Sequence, residues 1–195
     1  MSNIRDIKNR LRADIQSARA TMSEEEKASL DLMICNQFRK LASFRFAKII
    51  LAYYPLADEV DITSLLKEAL AAGKRVALPR CHDANLMDFY YIESFDDLES
   101  GAYGIMEPKE SCEIYSLATE QPSIMLIPAL AYDKFGYRLG YGRGYYDRYV
   151  NRFGGAKAGL CYRAFFKDAP LPRGRYDMAV DYVVTEKGVK LIEKK

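Results

Sequence analysis

The residues with the clearest chemical potential lie in the segment 133–147, where glycines alternate with cationic and aromatic side chains. Its second half holds glycines at 140, 142 and 144. Glycine allows positive φ and lets a ligand approach the main chain closely. Arg138 and Arg143 place two guanidinium groups, which match phosphate oxygens as planar forks, in the same segment. Because a helix is predicted directly after the last glycine, its first N–H groups would also favour an anion. The segment therefore predicts a phosphate-binding loop.

The segment does not match the common phosphate-binding motifs. A P-loop ends in Gly-Lys-Ser/Thr, whereas this chain reads Gly144-Tyr145-Tyr146. A dinucleotide fingerprint requires glycine at 145. Asp147 lies in the first turn of the predicted helix, where it could complement the helix dipole or hold Mg²⁺ beside a triphosphate. A flexible glycine turn with two incidental arginines is the alternative, but the combined features favour a phosphate site.

The elements around this segment predict an α/β fold. Short apolar runs at 48–54, 75–78, 123–127, 157–162 and 181–185 are typical of strands. A further strand, which could be antiparallel, is predicted over 86–92. Helices are predicted over 4–18, from Ser23 to Leu41, up to Leu70 before Gly73, and from Tyr145 to before Gly154. Alternating strands and helices predict a mainly parallel sheet with helices on both faces.

The first predicted helix carries two cations. Its apolar face is formed by Ile4, Ile7, Leu11, Ile15 and Ala18. Lys8 and Arg12 lie four residues apart on a neighbouring stripe, so their charged ends can converge. Without further information, a solvated basic face is the favoured interpretation of this pair.

Composition excludes several classes of protein. The chain has 195 residues, a net charge of +2, one histidine (His82) and four cysteines. No C-x-x-C spacing occurs, which argues against a zinc-ribbon or thioredoxin-like protein. The four cysteines are scattered along the chain, as is typical of proteins in a reducing cytoplasm. The balanced charge argues against nucleic-acid binding. No apolar stretch approaches the ~20 residues of a membrane span. We expect a single-domain, cytoplasmic monomer without nucleic-acid or membrane partners.

The glycine-rich segment is part of a longer signature. It consists of Ile127-Pro128-Ala129-Leu130-Ala131-Tyr132-Asp133, Gly136, Arg138-Leu139-Gly140, Gly142 and Gly144-Tyr145-Tyr146-Asp147. This signature resembles that of the 5-formyltetrahydrofolate cyclo-ligase (5,10-methenyltetrahydrofolate synthetase) family. Further matches are Lys8 with Arg12, 54–59, Leu78-Pro79-Arg80, Gly104-Ile105-Met106-Glu107-Pro108 and 176–181. Together they span nearly all 195 residues. The resemblance implies one cyclo-ligase domain over 1–195 with a three-layer α/β/α fold.

The resemblance also implies the reaction. Family members convert 5-formyltetrahydrofolate to 5,10-methenyltetrahydrofolate with ATP and Mg²⁺, releasing ADP and phosphate through a phosphorylated formyl intermediate. ATP-binding is implied for Lys8, Arg12, Arg138, Leu139, Gly140, Tyr141, Gly142, Arg143, Gly144, Tyr145 and Tyr146. Folate-binding is implied for Tyr54, Glu59, Gly142, Arg143, Gly144, Tyr145 and Tyr146. Asp147 and Asp177 would hold Mg²⁺, with Arg143 and Asp147 acting in catalysis.

Several of these roles have simpler alternatives. By residue type alone, Tyr54 could simply pack at the end of a strand. Glu59 could be a solvated acid in a loop, and Asp177 could be an ordinary turn residue. Arg143 stands where many family members carry lysine, which leaves the geometry of phosphate binding open. A related ATP-using ligase or kinase, a non-catalytic binder of folate or nucleotide, and an RNA-binding module are the competing functions. The cyclo-ligase is the leading hypothesis.

Overall fold

A seven-stranded sheet forms the centre of the structure, a computed structural model that describes residues 3–82, 86–101 and 104–193. The helices are α1 (Ile4–Ala20), α2 (Glu24–Phe38), α3 (Ala42–Phe46), α4 (Thr63–Ala71) and α5 (Tyr145–Val150). The strands are β1 (Ile49–Leu51), β2 (Arg75–His82), β3 (Leu86–Ile92), β4 (Leu98–Ser100), β5 (Met106–Pro108), β6 (Ser123–Pro128), β7 (Ala131–Asp133), β8 (Arg138–Leu139), β9 (Ala156–Leu160), β10 (Phe166–Lys167), β11 (Tyr182–Thr185) and β12 (Gly188–Leu191).

The strand order of the sheet places a crevice at its middle. The order is β12-β11-β9-β6-β1-β2-β3. The inner pairings β1–β2, β1–β6, β6–β9 and β9–β11 are parallel, and the two outer pairings are antiparallel. The chain proceeds from β1 to β2 on one side and later returns to β6 on the other side. Ligands of open α/β sheets bind beyond the carboxyl ends of strands at such a switch point.

The two faces of the sheet bury separate apolar clusters, which makes the fold a three-layer α/β/α arrangement, as the resemblance implied. Helices α2, α3 and α4 pack through residues such as Phe38, Phe44 and Leu66 against one face. The opposite face is covered by Tyr149 and Val150 of α5 together with neighbouring loops. Consecutive β1 residues alternate between the clusters and are all buried, which confirms the prediction of a strand buried on both faces.

Some element boundaries differ from prediction. The β2 strand was predicted to stop at Pro79 but runs to His82. Its pairing with β1 ends at Ala77, so Pro79 lies at a local sheet edge, where proline is tolerated. The glycine-rich segment contains the hairpin strands β7 and β8 rather than a continuous loop. The antiparallel edge strand β12 was not predicted.

The first two helices also depart from their predicted faces. In α1, Ile15 is buried, whereas Ile4 and Ile7 are exposed and Arg19 is buried in place of the predicted Ala18. Helix α2 ends at Phe38 instead of Leu41, and Leu41 is the N-cap of a separate short helix, α3, which begins at Ala42. Across the described part of the chain, no helix combines the length and apolar character that crossing a bilayer requires.

Candidate active site

A cavity of about 470 Å³ lies beyond the carboxyl ends of β1 and β6, at the switch point of the sheet. Every site residue predicted from the sequence lines this cavity. They are Lys8, Arg12, Tyr54, Glu59, Arg138, Leu139, Gly140, Tyr141, Gly142, Arg143, Gly144, Tyr145, Tyr146, Asp147 and Asp177. Segments far apart in the chain therefore meet at one place, while the individual roles of these residues remain predictions.

One end of the cavity is built from cations on α1. Lys8 Nζ donates to Asp177 Oδ2, across 169 residues of sequence. Arg12 Nε donates to the Gly140 carbonyl oxygen at 2.7 Å. Both cations are half-buried against the glycine-rich segment. The interpretation of Lys8 and Arg12 as a solvated basic face was therefore wrong, because both side chains form hydrogen bonds with residues that are distant in the sequence.

A second ion pair joins β8 to α5 in the part of the cavity lining that the glycine-rich segment forms. Arg138 Nη2 donates to Asp147 Oδ1 at 2.5 Å, and the Arg138 side chain is only 5% exposed. Arg138 Nη1 donates to the Met178 carbonyl oxygen at 3.5 Å. A buried guanidinium needs such partners because an unpaired charge is costly away from water. Asp147 thus does more than complement a helix dipole, since it neutralises a buried cation at the cavity.

The glycines at 140, 142 and 144 are required for different structural reasons. Gly142 has φ +102°, and a Cβ there would lie 3.1 Å from the Arg12 guanidinium carbon. Gly144 has φ +76° as the residue that precedes α5. Positive φ favours glycine at both positions. Gly140 has open space around it, so its missing side chain leaves room at the cavity wall. Helix α5 has only six residues, so the cationic side chains carry much of the attraction for an anion.

The other end of the cavity contains a buried acid. Glu59 is 5% exposed, and its Oε2 accepts from the Leu56 backbone N–H at 2.9 Å. Burial is the main cause that raises the pKa of Glu59 to about 7. The reading of Glu59 as a solvated loop acid was therefore wrong. Tyr54 packs edge-on against Phe95, with ring centres 5.8 Å apart, so strand-end packing does contribute to its position.

An unpartnered hydroxyl lies in the cavity wall. The Tyr146 Oη is buried and accepts or donates no hydrogen bond within the described residues. Burial raises the pKa of Tyr146 well above its ordinary value, so the phenol stays protonated. Neighbouring Tyr53, by contrast, donates from its Oη to the Val60 carbonyl oxygen at 2.9 Å. Buried polar groups are normally paired, so the Tyr146 hydroxyl indicates a missing ligand or water partner.

The two aspartates fit a magnesium ion that is shared with phosphate. Carboxylate oxygens are the hard donors that Mg²⁺ prefers, and the ion usually uses one or two of them together with phosphates and water. The hydrogen bonds of Asp147 and Asp177 each engage a single carboxylate oxygen. No cluster of three or more His, Cys, Asp or Glu side chains suited to a metal occurs in the residues that the structure describes. Asp147 and Asp177 could therefore hold Mg²⁺ only with help from a phosphate ligand.

Sequence reasoning assigned no role to several residues that line the cavity. They are Tyr53, Leu56, Pro79, Cys81, Met87, Ile105, Glu107 and Pro128. Glu107 is 3% exposed, and its Oε1 accepts from the Cys81 backbone N–H at 3.2 Å. A Cβ at Gly101 would lie 2.3 Å from Glu107 Oε2, so glycine is needed to make room for this carboxylate. The only sequence signal for Glu107 was its membership of a matching motif.

The lone histidine and the cavity cysteine show no catalytic arrangement. Burial is the main cause that raises the pKa of Cys81 to about 11, which keeps the thiol protonated at neutral pH. His82 Nε2 lies 3.5 Å from Asp88 Oδ2 at the far end of β2 and does not line the cavity. Chemistry here would rely on the charged groups and tyrosines instead.

Comparison with known proteins decides the family. The sequence profile of the 5-formyltetrahydrofolate cyclo-ligase family matches residues 4–186. The chain belongs to this family. It is an enzyme of this ligase class, and the resemblance seen in its motifs is confirmed.

Relatives of this ligase family agree over nearly the whole chain. A probable 5-formyltetrahydrofolate cyclo-ligase from Schizosaccharomyces pombe is 28% identical, covering 93% of this chain and 96% of the relative. A 5-formyltetrahydrofolate cyclo-ligase from Mycoplasma pneumoniae is 30% identical, covering 92% and 98%. The solved structure of Aquifex aeolicus 5,10-methenyltetrahydrofolate synthetase superposes with a TM-score of 0.83 at 35% identity, covering 97% and 94%. The fold predicted from the sequence is therefore that of this family.

Proposed function

We propose that this cyclo-ligase converts 5-formyltetrahydrofolate to 5,10-methenyltetrahydrofolate at the expense of ATP, with release of ADP and phosphate. The observation that carries the proposal is the shared cavity. Its one end presents Lys8, Arg12 and Arg143, and its other end presents Glu59 among aromatic side chains. A phosphate donor and a reduced folate could therefore meet within one open cavity.

The cationic end would bind the triphosphate. Arg143 lines the cavity as an exposed residue. Lys8 donates to Asp177, and Arg12 donates to the Gly140 carbonyl oxygen. Charge-assisted hydrogen bonds from such groups are about twice as strong as neutral ones. The triphosphate would take over part of the contact that Lys8 now makes with Asp177. The segment Arg138–Tyr146 would supply the surrounding wall.

The acidic end would bind the pterin. A reduced pterin presents ring and amino N–H groups, and an ionised Glu59 carboxylate can accept hydrogen bonds from them. Tyr54 offers an aromatic face, and the unpartnered Tyr146 hydroxyl offers a further hydrogen bond toward the folate. The Leu56 backbone N–H already donates to Glu59, so one contact that holds this carboxylate is present before the pterin binds.

The reaction needs activation of a poor leaving group. The formyl oxygen of the folate would take the terminal phosphoryl group, which breaks the bond to ADP and leaves the formyl group phosphorylated on oxygen, as an N5-iminium phosphate. The N10 nitrogen would then attack the formyl carbon. Its proton would pass to the departing phosphate or to water as the C–O bond breaks. Positioning and charge stabilisation by Arg143 and its neighbours can carry most of this catalysis. No histidine base is required.

A bound magnesium ion would neutralise phosphate charge during the transfer. Asp147 and Asp177 are the residues that would hold it, each with its remaining carboxylate oxygen. Arg138 keeps Asp147 in place through their 2.5 Å hydrogen bond. The backbone N–H of Gly174 donates to Asp177 at 2.8 Å and fixes the second carboxylate.

An absorbance assay tests the proposal. Purified protein is mixed with 5-formyltetrahydrofolate, Mg²⁺ and ATP, and the methenyl product is followed. We expect product only when ATP is present. Absence of ATP-dependent product would contradict the proposed reaction, and equal rates without ATP would contradict the phosphorylation mechanism. Binding of both ligands without turnover would instead indicate a non-catalytic folate or nucleotide binder.

We place the enzyme in the cytoplasm as a monomer. All four cysteines, Cys35, Cys81, Cys112 and Cys161, are free thiols, which suits a reducing compartment. The balanced charge offers little attraction for nucleic acid. Size-exclusion chromatography with light scattering checks the oligomeric state, and a dimer mass would contradict it.

A further inference from the structure

Tyr141 links the glycine-rich segment to the loop that follows β1. Its hydroxyl lies 2.9 Å from each carboxylate oxygen of Asp58 and can donate to either. Burial, with the nearby carboxylates of Glu59 and Asp58, raises the pKa of Tyr141. The phenol therefore stays protonated and remains a donor at physiological pH. This contact joins two segments that are 83 residues apart.

The base of the Asp58 loop is fixed by a buried cation. Arg19 is 6% exposed, and its Nη1 donates to the Asp58 carbonyl oxygen at 2.7 Å. Its Nη2 donates at 2.8 Å to the carbonyl oxygens of both Ala129 and Leu130, which follow β6. Tyr162 Oη donates to Asp31 Oδ1 at 2.7 Å and lies 3.4 Å from the Glu59 carbonyl oxygen, so it packs beside the next residue of the loop. The loop base is thus anchored mainly by Arg19, and the Tyr141 contact holds its outer side.

Each partner of this hydrogen bond neighbours a different proposed substrate. Asp58 directly precedes Glu59, which is assigned to the pterin. Tyr141 lies between Gly140, which accepts from Arg12, and Gly142, which packs against the same guanidinium. A ligand that orders one segment therefore acts on the other through a single hydrogen bond.

We propose that the Asp58–Tyr141 hydrogen bond couples the two substrate sites, so that ATP and 5-formyltetrahydrofolate each strengthen the binding of the other. The inference rests on the proposed function. A ligand that immobilises one segment lowers the entropy that the second ligand must still remove from the other segment. Such coupling is reciprocal and typically amounts to about 5- to 150-fold in affinity. Tyr141 and Asp58 are positioning residues in this account.

Calorimetry on the full chain tests the coupling. Binding of 5-formyltetrahydrofolate is measured with Mg²⁺, in the presence and absence of a non-hydrolysable ATP analogue. In the wild type, we expect the analogue to tighten folate binding by about fivefold or more. The measured quantity is the ratio of the two folate affinities. In Tyr141→Phe, the analogue should change the folate affinity by less than about twofold, whatever the affinity of this variant for each ligand alone. Asp58→Ala keeps the backbone carbonyl that Arg19 binds, and the effect of the analogue on its folate affinity should be equally small. The double variant should show the same small effect as either single variant.

Tyr137→Phe is the matched control. Tyr137 belongs to the same segment, and its ring stacks on the Arg173 guanidinium at 3.9 Å, away from Asp58. This variant should keep the wild-type coupling. Independent binding of the two ligands to the wild type would overturn the inference, and so would full coupling in Tyr141→Phe, even with lowered stability. Failure of the wild type to bind folate or the analogue at all would contradict the proposed function instead.

Discussion

The two ends of the cavity satisfy their polar groups in different ways. At the cationic end, protein partners already occupy the charges, as the pairs Lys8–Asp177 and Arg138–Asp147 show. At the acidic end, Glu59 has a single backbone donor and the Tyr146 hydroxyl has no partner within the described residues. One end is held together without ligand, and the other end leaves hydrogen-bonding capacity unused.

This difference separates two kinds of binding site. Ion pairs keep the cationic end assembled, so a phosphate ligand exchanges hydrogen-bond partners there. At the acidic end, the Tyr146 hydroxyl has no protein partner within the described residues, so a ligand can bond to it without displacing one. Variants at the two ends should therefore differ in their effects on stability and on activity.

The largest effect is expected from Asp147→Asn. Loss of this carboxylate removes a proposed magnesium ligand and leaves the buried Arg138 without its counter-charge. Turnover should fall by about 100-fold or more, while circular dichroism shows a folded protein. Asp168→Asn, at an exposed pair with Arg163, is the control and should stay active. Wild-type turnover of Asp147→Asn at saturating Mg²⁺ would show that Asp147 is only an acid at a helix start.

Arg143→Ala should weaken ATP binding more than folate binding. A lost charge-assisted hydrogen bond costs about 1.5–3 kcal/mol, which is about 10- to 100-fold in affinity. Calorimetric titrations with a non-hydrolysable ATP analogue and with 5-formyltetrahydrofolate separate the two effects. Arg152→Ala, exposed beyond α5, serves as the control. The reverse preference would mean that the phosphates are placed wrongly.

Glu59 should make folate binding depend on pH. Burial raises the pKa of Glu59 to about 7, and the proposed contact with the pterin uses its ionised form. Folate affinity should then fall by up to about tenfold per pH unit below pH 7. Glu59→Gln should bind more weakly but without this dependence between about pH 5.5 and 8. A wild-type affinity that does not vary over this range would contradict the role of Glu59.

The same group affects stability in a defined direction. Because the pKa of Glu59 is raised in the folded state, folded protein holds this proton more tightly than unfolded protein. Its contribution to stability is therefore present at low pH and is lost as pH rises from about 4.5 through about 7. Urea denaturation of the ligand-free wild type and Glu59→Gln should show the smaller decline in the variant.

The smallest effect is expected from removing the Tyr146 hydroxyl. Tyr146→Phe should leave the free energy of unfolding unchanged or raise it by up to about 1 kcal/mol, because no hydrogen bond is lost. Its folate affinity should nevertheless fall. Tyr132→Phe, which loses a buried 2.9 Å bond to the Ile127 carbonyl oxygen, should instead destabilise the protein. If urea titrations showed that both variants lose the same free energy of unfolding, the claim that the Tyr146 hydroxyl has no protein partner would be contradicted.

Local patterns were sufficient to predict most of the sheet. The apolar run of β1 and the helix α4 that ends before Gly73 depend on residues near one another in sequence. The edge strand β12 was missed because its exposed residues lack the apolar pattern of a buried strand. Pro79 misled the prediction of β2, since a proline, which lacks a backbone N–H, interrupts a strand only where the sheet needs a donor at that position.

The site was less accessible to residue-by-residue reasoning. The glycine-rich segment indicated phosphate, but Glu59 and Asp177 stood out only through the family resemblance. Their environments depend on contacts between distant segments, such as the Lys8–Asp177 pair across 169 residues. Arg19 and Glu107 were missed for the same reason, since burial of a charged side chain is a property of tertiary structure. Sequence patterns do not indicate which charges a fold will bury.

Transfer of oxygen from folate to phosphate tests the central claim most directly. The enzyme is given 5-formyltetrahydrofolate labelled with ¹⁸O in the formyl group, together with ATP and Mg²⁺, and the released phosphate is examined by mass spectrometry. If the two ends of the cavity bring the formyl oxygen to the terminal phosphoryl group, one ¹⁸O atom appears in each phosphate. Unlabelled phosphate accompanied by methenyl product would contradict phosphorylation of the formyl oxygen and the account of this cavity.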